Sequence, residues 1–464
     1  MRLAVSLAVS LAVAAPAAPA PAAAPEVAAE AAWRLPVSVK RLPNGLTVVV
    51  SPDRSSPTFG ISTVYRIGFR LEPKGRTGFA HLFEHMMFEG TPRSPKGTFS
   101  KVIQGGGGIL NGSTSYDYTN YVATAPVSAL DAILWLEADR MRGLDFSGKN
   151  LENQKDVVKE EIRVNVLNQP YGLFFWTDVA GLAFDRWENA HDGYGSFADL
   201  DAASLGDVRK FFDTFYAPNN AVIAIAGDVE PPEVFAKVER YFGALPARRA
   251  PARPDVREGP NAAERWLQQE DALAQVPGLA VGFKLPGGRH EDHVAAAVLG
   301  EVLAGGAASR LYLELVKGQE LLLQVEGGAN WPLGSAWQVE GPTLMTFFAL
   351  YKPTTDARRV VTALEAVVGR IAREGVPADE LARVETKLES DLYSSWEQPM
   401  GRADALAVAQ LFTGDAASLN SLPARIRAVS SDDLRRVAST FLTAANRTVV
   451  DRRPAAAAAA TPAR

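Results

Sequence analysis

Hydrophobic and polar positions along the chain follow two different periods, which together predict a mixed fold of helices and strands. Two runs rich in β-branched and other apolar residues, at 46–50 and 60–67, have the length and composition of strands. Residues 127–143 and 151–166 instead repeat their apolar positions every three to four residues, which is typical of helices. The run 221–226 is apolar throughout and predicts a buried strand.

The sequence also repeats itself. A helix, a turn and a strand around Asp207 and Asn220 recur near the C terminus around Asp433 and Asn446, and both pairs are separated by 226 residues. Repetition at a fixed interval indicates homologous structural units. We therefore predict an α+β chain made of a tandem of two similar α/β units.

These patterns divide the chain into five segments. Residues 1–32 begin with one positive charge, an apolar run and small residues, which predicts a secretory signal peptide followed by an Ala/Pro-rich spacer. The two units occupy 33–245 and 261–451, the Pro- and Arg-rich stretch 246–260 is a linker, and 452–464 is a disordered tail.

We expect an exported protein, periplasmic or secreted by a bacterium, without an integral membrane segment in the mature chain. A retained amphipathic or membrane-anchoring helix is the alternative.

Composition narrows the function classes. The 464 residues are 47% hydrophobic, and the formal net charge of −5 argues against nucleic acid as a partner. The chain has no cysteine, so any zinc must be held by His and carboxylate groups. Three of the five histidines, His191, His290 and His293, lack fitting partners. His290 and His293 are three residues apart and could share a metal, but we predict solvated loop or helix positions for these two.

The strongest chemical signal is the H-x-x-E-H run at residues 81–85. On a helix, residues three and four apart share a face, so His81 and His85 present two imidazoles to one point with Glu84 beside them. Two imidazoles suit Zn²⁺, a third protein ligand leaves one position open for water, and a carboxylate can take the proton of that water. The run is the inverted form of the zinc-protease signature. The alternative is two surface histidines beside an unrelated Glu.

Near this motif, residues 111–125 alternate Thr, Ser and Tyr without a long apolar face, which predicts an exposed edge strand. An unpaired edge beside a zinc site can accept an extended peptide as an added strand. An ordinary solvated hairpin is the alternative.

Several motifs together resemble the pitrilysin family of zinc metallopeptidases, which includes insulysin and the mitochondrial processing peptidase. The resemblance runs from Leu35 to Val450 and is strongest to two-chain, processing-peptidase-like bacterial subunits. It rests on H-L-F-E-H, G-G-I-L-N-G-S-T-S with T-N-Y, E-N-Q-K-D-V-V-K-E-E, N-Q-P-Y-G, Y-A-P-N-N-A-V with A-G-D, and S-R-L-Y. It implies that each unit is a metallopeptidase-type α/β roll and that the two units form half of a clamshell.

The third metal ligand is also implied by the resemblance. From the residues alone, Asp156, Glu160 and Glu161 of the second predicted helix cannot be distinguished as ligands. The family's third zinc ligand corresponds to Glu161, with Glu160 as the second choice. A supporting carboxylate of the family corresponds to Gln154, whose amide can still orient a ligand by hydrogen bonding.

One departure from the family bears on catalysis. Members that are complete in one chain supply an Arg and, seven residues on, a Tyr to stabilise the tetrahedral intermediate, but Val316 and Leu323 stand at those places. Neither side chain donates a hydrogen bond. We therefore expect a heterodimer in which a homologous subunit brings Arg and Tyr. A homodimer that uses Arg310 and Tyr312 in a shifted register is the alternative.

These inferences predict a subunit of an exported zinc endopeptidase, with one Zn²⁺ per chain, that hydrolyses peptides or unfolded protein segments. Glu84 is the base that activates the zinc-bound water. Four residues hold the substrate main chain: Asn111, Gly112, Ser113 and Thr114. The alternatives are a structural subunit without hydrolysis and a zinc-bearing module that binds peptides without cutting them.

Overall fold

Eleven strands pair into two β-sheets within residues 33–455, the part of the chain that the computed structural model describes. The compact unit within this range begins at Leu35. The strands are β1 (Ser38–Arg41), β2 (Thr47–Pro52), β3 (Thr58–Tyr65), β4 (Ile109–Thr114), β5 (Thr119–Pro126), β6 (Ala221–Gly227), β7 (Arg265–Asp271), β8 (Gly278–Leu285), β9 (Leu322–Ala329), β10 (Thr343–Tyr351) and β11 (Arg447–Pro454). The predicted signal peptide and spacer, residues 1–32, lie outside the described residues.

Fifteen α-helices accompany these strands in the same range. They are α1 (Phe79–Met86), α2 (Thr98–Gly105), α3 (Leu130–Arg142), α4 (Gly148–Ile162), α5 (Val179–Ala183), α6 (Trp187–Ala190), α7 (Phe197–Asp201), α8 (Leu205–Phe215), α9 (Pro231–Phe242), α10 (His293–Ala304), α11 (Ala357–Glu374), α12 (Ala378–Glu397), α13 (Pro399–Thr413), α14 (Leu422–Arg427) and α15 (Ser431–Phe441). Within the described range, no helix combines the length and the apolar composition that crossing a bilayer requires.

The two sheets share one topology. The first has the order β1-β2-β6-β3-β5-β4 and the second the order β7-β11-β8-β10-β9. Each contains one parallel pair, β2 with β6 and β7 with β11, and its other pairs are antiparallel. Apart from β1, the two orders correspond strand for strand. The predicted tandem of two α/β rolls is therefore confirmed.

The repeat extends to individual hydrogen bonds. Helices α8 and α15 both begin with a capping box, in which a Ser and an Asp side chain satisfy each other's main-chain amides. Asn220 then donates to the Phe215 carbonyl at 2.9 Å, and Asn446 donates to the Phe441 carbonyl at 2.7 Å. The same side chain thus closes the same turn before β6 and before β11.

Strand β6 is buried along its whole length because both faces of the first sheet are covered. Ile223 and Ile225 pack in the first core, the buried cluster that they form with helices of the first half, including α1 and α3. Val222, Ala224 and Ala226 point the other way and pack in the second core, to which α13 contributes. A strand covered on both faces has no polar side to expose, which explains its uninterrupted apolar sequence.

The predicted edge strand at 111–125 is wrong in its extent, because the structure forms a hairpin there. Strand β4 lies at the sheet edge, whereas β5 lies between β4 and β3. The main chain turns back where the Ser115 amide donates to the Tyr118 carbonyl at 2.9 Å, without the glycine that usually marks such a turn in sequence.

Two predicted boundaries also shift. Helix α4 begins at Gly148 rather than 151, because the Ser147 hydroxyl accepts the Asn150 amide and caps the helix. Strand β11 continues to Pro454, beyond the predicted start of a tail at 452. Arg452 is held there by Asp178 at 2.6 Å. Tertiary pairing therefore orders residues that composition alone assigns to a tail.

Gly60 of β3 tests the contact between the two halves. An added Cβ would lie 2.3–2.4 Å from main-chain atoms of Pro399 and Met400 at the start of α13. We expect Gly60→Ala to lower the free energy of unfolding by about 1–3 kcal/mol, because main-chain atoms cannot move aside as side chains do. The control is Gly148→Ala, where nothing lies within 4 Å of the added methyl group. Equal urea midpoints for the two variants would contradict this packing.

Candidate metal centre

The two histidines of helix α1 lie on the face opposite the apolar residues that pack in the core. Phe79, Phe83 and Met86 are fully buried in the first core and hold the helix against the sheet. His81 and His85 follow one another by one helical turn, and their rings meet edge to face with centroids 4.9 Å apart. The helical spacing thus brings the two imidazoles together as the sequence predicts.

Glu161 of α4 completes a group of three donors. The Nε2 atoms of His81 and His85 are 3.2 Å apart, and they lie 3.5 Å and 3.2 Å from the two carboxylate oxygens of Glu161. Within residues 33–455, this is the one group of three His, Cys, Asp or Glu residues whose ligand atoms converge in this way. The helices α1 and α4 pack against each other to form it.

The spacing of these donors fits a zinc ion. Nitrogen and oxygen ligands that bind zinc tetrahedrally at about 2.0–2.1 Å are about 3.3 Å from one another. The observed separations of 3.2–3.5 Å match that value. Two imidazoles and one carboxylate also form a ligand set of catalytic zinc sites, which keep a fourth position open.

Electrostatics and exposure agree with this assignment. Hydrogen bonds with His81 and His85 hold the pKa of Glu161 well below its usual range, so its carboxylate stays ionised. The side chains of His81, His85 and Glu161 are 9%, 21% and 29% exposed, respectively. The group is therefore embedded on one side and reachable from solvent on the other.

Glu84 extends from α1, the helix of the two histidines, to the edge strand β4. The Thr114 hydroxyl donates to the Oε2 atom of Glu84 at 2.7 Å. A Cβ at Gly112 would lie 2.9 Å from the Cγ atom of Glu84, so only glycine allows the strand to approach this closely. A carboxylate is thus held in one orientation beside an unpaired main-chain edge.

The other candidate residues of the sequence analysis lie outside this group. Glu160 is exposed and pairs with Arg163 at 3.0 Å, so α4 turns only Glu161 toward the histidines. Gln154 is buried, and none of the hydrogen bonds among the described residues involves its side chain. It lies two helical turns before Glu161, about 10 Å along the axis. The predicted orienting role of Gln154 toward a ligand is therefore not supported by contact.

At the two places expected to carry Arg and Tyr, the second half has apolar side chains. Val316 is partly buried against the second core, and Leu323 is a half-exposed apolar residue on β9. Arg310 is occupied by a two-pronged ion pair with Glu380, at 2.8 Å and 3.0 Å. Tyr312 packs against the second core.

The prediction of solvated positions is wrong for His293, and His191 has a partner that the sequence did not indicate. His191 is buried and its Nε2 atom lies 3.1 Å from Glu72. His293 is buried with Nε2 2.6 Å from the Ala336 carbonyl. His290 is largely exposed, as predicted. Partners 119 and 43 residues away in sequence leave no local pattern from which burial could be inferred.

Sequence reasoning also missed Tyr194. Its ring stands edge-on to His81, with centroids 5.0 Å apart, and it contacts Trp176 on another side at 4.4 Å. Burial first, and then the negative charge of Glu161, raise the pKa of Tyr194, so the phenol stays neutral. Tyr194 follows His81 by 113 residues, and no motif connects them.

Two family models match this chain. Residues 47–172 match the model described as Insulinase (Peptidase family M16), and residues 202–388 match Peptidase M16 inactive domain. The first match contains His81, His85 and Glu161. The second match covers much of the second half of the chain. Among the described residues of that half, no comparable group of three ligand residues is found.

Relatives and solved structures agree with these models. The zinc protease PqqE of Helicobacter pylori is 26% identical over 89% of this chain and 92% of its own length. The crystal structure of a protease from Helicobacter pylori matches with a TM-score of 0.84 at 26% identity, over 90% of this chain and 100% of that one. The periplasmic protease PqqL from Escherichia coli shares the fold alone, with a TM-score of 0.70 at 18% identity, over 90% of this chain and 47% of that one. The predicted architecture, half of a clamshell, is thereby confirmed.

Neighbouring carboxylates on α4 provide a matched test of the metal centre. We expect Glu161→Gln to abolish stoichiometric zinc binding, because two remaining ligands cannot close a protein site. Glu160→Gln should bind one equivalent, since that side chain pairs with Arg163 instead. Metal content of the purified variants, measured by mass spectrometry, distinguishes them. His85→Ala should behave like Glu161→Gln, and full zinc occupancy in that variant would overturn the ligand assignment.

Proposed function

The chain belongs to the pitrilysin family of zinc metallopeptidases, and we propose that it acts as a zinc-dependent endopeptidase subunit on peptides or unfolded protein segments. One observation carries this proposal. His81, His85 and Glu161 converge at zinc-ligand spacing, and Glu84 extends from α1 to an open strand edge. Such an arrangement supports a site at which a zinc ion, a base and a paired substrate main chain would lie close together.

Glu84 is suited to the role of general base. A bound zinc ion lowers the pKa of water to about 7 and polarises the carbonyl oxygen of a substrate. The Glu84 carboxylate accepts a proton from the attacking water and later passes it to the leaving amine. The Thr114 hydroxyl occupies Oε2 and fixes the plane of the carboxylate, which leaves Oε1 for the proton.

The edge strand β4 accounts for the class of substrate. Its outer edge has main-chain amides and carbonyls without a strand partner within the described sheet. An extended peptide can pair with this edge, whereas a folded segment cannot present its main chain in that way. Because Gly112 and Thr114 adjoin Glu84, a peptide paired there would pass close to the base.

A homologous partner subunit would supply the missing donors. The positions expected to carry Arg and Tyr hold Val316 and Leu323, and Arg310 is already paired with Glu380. A shifted register would have to break that two-pronged pair, which disfavours the homodimer alternative. The fold match covers about half of the PqqL chain, 47%, which supports an assembly of two such halves.

Export to the periplasm or the exterior is part of the same proposal. It is supported by the apolar N-terminal run of the sequence and by the periplasmic protease among the structures of similar fold. The absence of cysteine is compatible with any compartment and does not decide between them.

A peptide-binding subunit without hydrolysis is the second candidate function. It is favoured by one observation, the apolar residues Val316 and Leu323 where donors to the oxyanion are expected. Metal binding and peptide pairing along β4 do not require those donors, but turnover does. Turnover in the presence of a partner therefore decides between the two candidates.

Substitution of Glu84 tests the chemical role. We expect Glu84→Gln to retain one equivalent of zinc and the melting temperature of the parent, because an amide can accept the Thr114 hydrogen bond as the carboxylate does. Hydrolysis of a quenched, unstructured peptide should fall by about 10²–10⁴-fold, the usual effect of removing a general base. Retained turnover would show that Glu84 is not the base.

Activity of the isolated chain tests the need for a partner. We expect it to bind zinc but to hydrolyse the quenched peptide at least about 10²-fold more slowly than a mixture with a homologous subunit, since one missing oxyanion donor costs about 10²–10³ in rate. The candidate partner is a family member without H-x-x-E-H from a neighbouring reading frame. If the isolated chain is as fast as the mixture, and Arg310→Ala slows it, the heterodimer proposal is wrong.

A further inference from the structure

The helix that carries the metal-binding histidines begins without a cap of its own. Gly78 occupies the N-cap position in the left-handed region, with φ of 80°, and has no side chain to accept the first amides. Glu72 takes this role from six residues earlier. Its Oε2 accepts the Gly78 amide at 3.0 Å, and its Oε1 accepts the Ala80 amide at 2.7 Å. A buried carboxylate therefore anchors the main chain one residue before His81.

Glu72 is in turn held by a buried histidine, His191. The Nε2 atom of His191 faces the Oε2 atom of Glu72 at 3.1 Å, and its Nδ1 atom faces the Trp187 carbonyl at 2.8 Å. When Glu72 is ionised, both partners are acceptors, and a proton on each ring nitrogen satisfies them. Burial by itself lowers the pKa of His191, but the hydrogen bond and negative charge of Glu72, together with the Trp187 carbonyl and the charge of Asp192, raise it by more in sum. The ring also stacks on Trp187 with centroids 4.0 Å apart.

The chain that follows His191 is packed tightly against the start of α1. Asp199 accepts both the main-chain amide and the hydroxyl of Thr77, at 2.9 Å and 2.6 Å. Gly195 lies so close to Gly78 that a Cβ on either residue would come within 3 Å of the other's main chain. The segment 191–199 therefore holds the first turn of α1 from outside.

The same segment contacts the metal-binding ring itself. Tyr194 stands edge-on to His81 at 5.0 Å, as described above. The Nδ1 atom of His81 is buried and has no hydrogen-bond partner among residues 33–455. A metal-binding histidine is usually oriented by a hydrogen bond from its second nitrogen, and here the neighbouring contacts are of another kind.

We propose that Glu72, His191 and Tyr194 are positioning residues of the metal centre, which orient His81 by anchoring its helix and packing against its ring instead of by a hydrogen bond to its second nitrogen. The proposal rests on the proposed function, in that His81 is taken as a zinc ligand. It concerns the geometry and affinity of the metal site and is independent of peptide hydrolysis. A merely structural role would instead affect folding stability without changing the metal site.

Cobalt substitution distinguishes these roles. The full-length chain is loaded with Co²⁺, and its visible absorption reports the ligand geometry, while competition with a chelator gives the affinity for Co²⁺ and Zn²⁺. In Glu72→Gln, one oxygen is replaced by an NH₂ group that faces main-chain or imidazole donors, so the anchor is lost. Tyr194→Leu removes the ring beside His81. We expect both variants to bind metal about 10–100-fold more weakly and to show a changed cobalt spectrum.

Two further variants serve as controls. Tyr194→Phe keeps the ring and should restore the parental spectrum and affinity, because packing and not the hydroxyl is proposed to act. Asp451→Asn alters a fully buried carboxylate of the second half, which accepts the Tyr351 hydroxyl at 2.6 Å. We expect it to lower the melting temperature and leave the cobalt spectrum and affinity unchanged.

The outcomes separate this inference from the proposed function. Unchanged spectra and affinities in both Glu72→Gln and Tyr194→Leu would overturn the positioning role, as would an equal change in Asp451→Asn. If Glu72→Gln does not fold, the comparison of Tyr194→Leu with Tyr194→Phe still decides. A parent chain that binds Co²⁺ with the expected variant pattern but cuts no peptide with any partner would refute the peptidase function and leave the positioning role intact.

Discussion

Three donor atoms on two helices must lie within about 3.5 Å of one another for the metal centre to exist, and the packing of the first half serves this requirement. Without an ion, a carboxylate and two imidazoles gain little from such crowding, because each would be better hydrated apart. The apolar faces of α1 and α4 must therefore hold the ligands in place. Phe79 and Phe83 of α1 and Val158 and Ile162 of α4 are buried in one core, which ties the direction of the ligands to the packing of that core.

The second half of the chain supports the sheet on which the candidate site lies. Helix α13 covers one face of the first sheet, and Asp404 on that helix accepts the Ser62 hydroxyl at 2.8 Å and the Asn120 amide at 2.7 Å. Asn120 accepts the Ser113 hydroxyl of β4 at 2.5 Å. A continuous chain of hydrogen bonds thus links the second half to the edge strand. The strand can stay open along its outer edge and still be rigid, which an extended peptide requires of its template.

Glu84 and the two histidines share helix α1, which makes a close contact with β4. Glu84 can approach the strand only because residue 112 lacks a side chain, and Thr114 then fixes the carboxylate by a single hydrogen bond. The orientation of this carboxylate and the position of the edge strand are therefore set together. Stabilisation of the oxyanion is a separate requirement, and it is the part of the chemistry for which this chain has apolar side chains at Val316 and Leu323.

Local spacing by itself determined the pairing of His81 with His85, because residues one turn apart on a helix must share a face. The interval of 226 residues likewise determined the tandem of two similar units. A period describes which side of an element is buried, but not what lies against it. The sequence pattern alone could not separate Glu160 from Glu161, and the resemblance to a family was needed to choose between them. The packing of α4 against α1 is what turns only Glu161 toward the histidines.

The contacts around the start of α1 were decided by tertiary structure alone. Tyr194 and His191 reach α1 and Glu72 across more than a hundred residues, and no periodicity or motif carries that information. The same holds for the hairpin at 109–126, where an alternating polar pattern is equally typical of one edge strand and of two paired strands. In each case the deciding interaction joins residues that are distant in sequence, so it depends on how the whole chain packs and not on local preference.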